Sequence, residues 1–134
     1  MAYSGYLIKI GSYKLPHSYI SAESYSVYKN TQDLDSYRDA DGKLHRTALS
    51  HTPNKVEFDT RNMLTDVEFA NLMRNIRNNF TNTAERKASV TLYIPETDAY
   101  VTQDMYLADI QPQLYLADSK KIQYKPIRMA FIGY

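Results

Sequence analysis

Leu64-Thr65-Asp66-Val67-Glu68-Phe69 is the stretch that decides how this 134-residue chain folds. Thr65 can accept a hydrogen bond from the third helical N–H, while Glu68 reaches back to the Thr65 N–H, forming a capping box. Leu64 and Phe69 stand at the spacing of a hydrophobic staple around it. Asp66 and Glu68 place negative charge on the positive end of the helix dipole. Phe69, Leu72, Met73, Ile76 and Phe80 then recur at three- and four-residue spacing. The pattern predicts an amphipathic helix at about residues 65–79 with one apolar stripe. Such a stripe needs a surface to lie on, and the flanking sequence supplies strands.

Tyr6 to Ile10 reads as a short strand closed by Gly11-Ser12, and Tyr19 to Tyr28 as a longer one with a solvated face. Lys55-Val56-Glu57-Phe58-Asp59-Thr60 alternates apolar with polar residues, as a half-buried strand does. Ser89 to Ile94 is a strand stopped by Pro95, and a turn at Pro95 to Asp98 leads into Tyr100 to Leu107. Gln113 to Leu116 and Ile122 to Ile132 complete the set, joined through Asp118-Ser119-Lys120. Pro126 demotes the middle of the last strand to an edge or a bulge. The apolar ending, Met129 to Tyr134, is either tucked into the sheet or covered by a neighbour. Residues 30–51 form an extended polar hairpin or loop whose turn is Asp41-Gly42. About seven hairpin-connected strands and one helix imply a mostly β fold, an antiparallel sandwich or open barrel with a flanking helix. By length, residues 1–134 make one domain.

A chain of this size buries roughly two-thirds of its unfolded surface, enough for a core without covalent staples. Tyr contributes 13 residues against 4 Phe and no Trp. Tyrosine suits a half-buried pleated surface and also assembly interfaces. Sixteen basic and 15 acidic residues nearly cancel, which is not the footprint of a dedicated nucleic-acid binder. With no cysteine, disulfides, thiol nucleophiles and thiolate-bound zinc are excluded. Neither a secretory signal nor a run near the ~20 apolar residues of a membrane span is visible.

Reactive chemistry is scarce. Asp33, Asp35, Asp39 and Asp41 cluster, but an EF-hand loop in that register would begin on Tyr37 and end on Ala48, neither a suitable ligand. Arg38, Lys43 and Arg46 lie among these acids, so salt bridging within the chain or to another subunit fits better than a metal. His17, His45 and His51 lack zinc-ligand spacing, no serine sits in a nucleophile elbow, and four glycines make no phosphate loop. The expectation is no enzyme: no catalytic, cofactor-binding or metal residue is assigned. Arg74, Arg77, Arg86, Lys87, Lys120, Lys121 and Lys125, with Tyr93, Tyr106, Tyr115 and Tyr124, leave a single-strand nucleic-acid-binding barrel as an alternative. A carbohydrate-binding module using exposed Tyr rings is another.

Three stretches carry a family likeness: Gln32 to Arg46, Glu85-Arg86-Lys87-Ala88, and Pro126 to Ile132. Through them the chain resembles a family of short proteins encoded in tail gene clusters of phages and prophages of Gram-positive bacteria. The order of elements is also similar to the tail-tube-like fold of tail tube and distal tail proteins. The resemblance implies a structural subunit of the virion tail, near the tip or baseplate, made in the host cytoplasm. It would form a homo-oligomeric, six-fold ring with other tail proteins as partners and DNA only as cargo through the channel. It further implies that a long hairpin reaches onto a neighbour, which marks Asp33, Leu34, Asp35, Tyr37, Arg38, Asp39, Asp41, Lys43, His45 and Arg46 as interface candidates. Mixed charges of this kind remain soluble in a free subunit and select a register when a complementary partner arrives.

Overall fold

The computed structural model describes residues 2–29, 35–47 and 53–134. In chain order the strands are β1 (Ile8–Ile10), β2 (Tyr13–Lys14), β3 (Ser26–Lys29), β4 (Tyr37–Arg38), β5 (Leu44–His45), β6 (Asn54–Asp59) and β7 (Leu64–Thr65). Helix α1 (Asp66–Arg77) follows, and then β8 (Lys87–Ile94), β9 (Ala99–Leu107), β10 (Leu114–Ala117), β11 (Ile122–Tyr124) and β12 (Arg128–Gly133). A seven-stranded sheet in the order β2-β1-β8-β9-β12-β6-β3 forms the body, with a three-stranded sheet β10-β11-β7 and the β4–β5 hairpin beside it. All pairings are antiparallel.

The cap forms as the sequence dictates. Glu68 N–H donates to Thr65 Oγ1 at 3.3 Å, and Thr65 N–H donates back to Glu68 Oε1 at 3.3 Å. Leu72, Met73 and Ile76 are buried against the sheet, with Phe69 and Phe80 packed at the margins. The helix ends at Arg77, two residues short of the expected bound, and Phe80 lies beyond it. On the sheet, strict alternation puts Val56 and Phe58 of β6 and Ala88, Val90 and Leu92 of β8 into one core, which Met129 and Phe131 of β12 join from a strand buried over Met129 to Phe131. The outward residues of β6, Lys55, Glu57 and Asp59, are only half-buried.

The body also curls. Tyr25, just before edge strand β3, lies with its hydroxyl 2.7 Å from the Tyr93 carbonyl and 3.2 Å from that of Leu7. One end of the seven-stranded sheet thereby meets strands from the other half, within the antiparallel sandwich or open barrel expected from sequence. Burial raises the Tyr25 hydroxyl's pKa above the ordinary phenolic range.

Two expected strands are corrected. Tyr19 to Ser24 is not strand: single 3₁₀ turns at His17–Tyr19 and Ala22–Ser24 precede β3. Ser24 Oγ donates to the Ser21 carbonyl at 2.6 Å and accepts from the Asp59 N–H at 2.7 Å, so side-chain hydroxyls replace ladder bonds there. Ile122 to Ile132 is not one strand but two, β11 and β12, in different sheets. Pro126, without an N–H, marks the crossing: Lys125 N–H donates to the Gln113 carbonyl, while Ile127 N–H donates to buried Thr60 Oγ1 at 2.9 Å. Met129 to Phe131 are buried, so the apolar ending is tucked into the sheet. Among the described residues no helix is long and apolar enough to cross a membrane.

Candidate assembly interface

Of the interface candidates, Asp33 and Leu34 lie outside the described residues; the others are brought together in the β4–β5 hairpin. Tyr37 pairs with His45 and Arg38 with Leu44, around the Asp41-Gly42 turn expected from sequence. Gly42 takes φ +82°, a left-handed conformation glycine adopts without steric cost. Asp39 organises the turn. Its Oδ1 accepts from the N–H groups of Asp41 and Lys43, each at 3.0 Å, and its Oδ2 lies 2.8 Å from His45 Nε2. The His45 contact, followed by the Lys43 N–H, holds the Asp39 carboxyl below its ordinary pKa. Arg38 Nη1 donates to the Gly42 carbonyl at 2.9 Å, and the His45 ring stacks on Tyr37 with centroids 4.8 Å apart and planes 8° from parallel.

This hairpin is therefore ordered by bonds within itself. Between residues 35 and 47 every residue except Asp39 is exposed, including Tyr37 at 59% and Leu44 at 44%. A pre-ordered arm loses less conformational freedom on docking than a floppy one. Arg38 and Asp39, expected among salt-bridging charges, spend their described bonds on backbone groups and His45 within the hairpin. His17 sits elsewhere, its Nε2 2.9 Å from both the Tyr3 hydroxyl and the Gly5 carbonyl, while His51 lies outside the described residues.

The tyrosines expected as a stacking platform mostly face one another. Tyr93 meets Tyr3 and Tyr100 edge-on, Tyr106 meets Tyr134, and Tyr124 lies against Phe69. Tyr115 differs, being 56% exposed on β10. Leu114 and Leu116 beside it are exposed as well, a feature the sequence reading missed because three consecutive large side chains look like a buried run. Their only sequence signal is the lack of any polar alternation.

Fold and arrangement together define a class. Over 99% of its length the chain superposes on 95% of a chain from the tail of an empty GTA particle with C6 symmetry, with a TM-score of 0.51 and 17% identity. The fold is thus a mostly antiparallel β fold with one helix, shared with a tail protein. The chain belongs to DUF6711, a family of unknown function, which it matches over residues 1–134. No curated protein matches it.

Proposed function

We propose that this chain is a non-enzymatic structural subunit of a phage tail, assembling with copies of itself into a ring through which DNA passes as cargo. The observation that carries the reading is the end-to-end likeness of fold to a chain of a C6-symmetric tail. The pre-ordered, exposed hairpin supports it, since an arm built outside the core serves contact between subunits rather than the fold of one. The position in the tail is the tip or baseplate, in phages of Gram-positive hosts, with neighbouring tail proteins above and below. A head-to-tail contact between two unlike patches closes into a ring when its rotation fits.

Mass photometry and negative-stain imaging of the purified chain over a concentration series test this directly. Hollow annuli appearing as concentration rises are expected. A chain that stays monomeric at all concentrations and retains short oligonucleotides in a salt-dependent way would replace this reading with the nucleic-acid-binding one.

A further inference from the structure

β10 ends its sheet: β11 pairs with one side of it, and no described residue pairs with the other. All four of its residues are exposed, with Leu114 at 52% and Leu116 at 38% flanking Tyr115. An apolar edge strand left open invites uncontrolled pairing unless something covers it. Next to it lies an open cleft of about 350 Å³ lined by Asp109, Gln111, Gln113, Pro126 and Arg128. The turn Asp118–Lys121 stands at the end of β10, where Asp118 Oδ1 accepts the N–H groups of Lys120 and Lys121. Lys120, Lys121 and Lys125 are exposed at the two ends of the β10–β11 pair, and exposed Asp109 at the cleft lies 3.5 Å from Arg86.

We infer that the open edge of β10 is the receptor for the β4–β5 hairpin of a second copy of this chain. This rests on the ring assembly proposed above and names its two contacting surfaces. The hairpin carries what the receptor lacks. Tyr37 and Leu44 offer apolar area to Leu114, Tyr115 and Leu116, and exposed Asp41 at the turn offers negative charge to the lysines. Both the β4–β5 hairpin and the β10 end of its three-stranded sheet have a backbone edge that no described residue pairs with, so the docked pair gains ladder hydrogen bonds in addition to side-chain contact. The two surfaces differ and both belong to every copy, as a head-to-tail contact requires.

The absence of cysteine makes the test clean, since any introduced pair is the only one able to oxidise. Leu44→Cys protein is mixed in turn with Leu114→Cys, Tyr115→Cys and Leu116→Cys proteins at concentrations that give annuli, then oxidised mildly. At least one pairing should yield a disulfide-linked dimer containing both variants, because a disulfide needs Cα atoms within about 7 Å. Annuli without a mixed disulfide in any pairing would overturn this contact and leave the ring reading standing. Leu44→Cys linking only to itself would overturn it in favour of a two-fold contact. A chain that never assembles would sink both readings together. Hydrogen exchange on the unaltered protein guards against misfolded variants: assembly should slow the amides of 114–117 and of 37–45 together by tenfold or more, and unchanged exchange at 114–117 would refute the assignment.

Discussion

The seven-stranded body and the β4–β5 hairpin are held by opposite means. In the body, side chains from five strands and the helix converge on one apolar core, and polar bonds such as that between Ile127 and Thr60 serve the junctions. In the hairpin almost nothing is buried, and order comes from Asp39, a glycine turn and one stacked ring pair. The lesson is a division of labour. Burial fixes the body, and local polar bonding fixes the arm that the proposed function leaves open for a partner.

The sharpest test of the contrast is Phe131→Ala. Phe131 is fully buried and paired between Leu107 and Val56, so its loss should cost about 3–5 kcal/mol in urea unfolding. A loss below 1 kcal/mol would mean that the body is not cemented at β12. Gly11→Ala should come next, at about 1–3 kcal/mol. Gly11 has φ +60°, and an added methyl would meet the Asn79 side-chain oxygen, which accepts from the Ser12 N–H and joins the β1–β2 turn to the segment after the helix. If Ala is tolerated there, that junction is looser than its geometry implies. Thr65→Ala removes the cap and should cost about 1 kcal/mol, read as a lower thermal midpoint with the fold retained.

Glu57 probes the outer face of the sheet. Lys55, and then Arg128, hold its pKa down to about 2 against an ordinary 4.5. A depressed carboxyl contributes stability above its unfolded pKa and loses it as pH falls through the folded one. The stability difference between wild type and Glu57→Gln, on the order of 1 kcal/mol at neutral pH, should therefore shrink as pH drops from about 4.5 toward 2. A difference that stays flat over that window would remove the ion pairs from the account. The smallest effect on the subunit should come from reversing Arg38 and Arg46 to Glu together. Monomer stability should move by no more than about 0.5 kcal/mol, while assembly followed by light scattering shifts to at least tenfold higher concentration. Lost circular dichroism with unchanged oligomer mass would show that the hairpin belongs to the body after all.

Much of the body was legible because its signals are local. Thr65, Glu68 and the helix stripe lie within a few turns of one another, and β6 displays its burial in its own alternation. Asp41-Gly42 announces its turn in two residues. Reading failed where the deciding partner is remote. Ser24 competes for backbone bonds with Asp59, far along the chain, so Tyr19 to Ser24 looked like strand. Pro126 announced an interruption, but which sheet each side joins depends on Thr60 and Gln113. At the candidate site, the charged arm was visible as composition, whereas the exposure of Leu114 to Leu116 depends on what fails to pack over them.

β12 lies between β9 and β6, and among the described strands it comes after both in chain order. Without β12 the two halves of the large sheet share no ladder among the described residues, and side-chain bonds such as Tyr25 to the Tyr93 carbonyl and Asn54 to Gln103 are left to join them. Order of synthesis then sets a checkpoint: a chain stalled before Arg128 should stay protease-sensitive and, on the proposed reading, unable to join an assembly. Protease resistance of ribosome-stalled chains lacking β12 would show that the halves close without it.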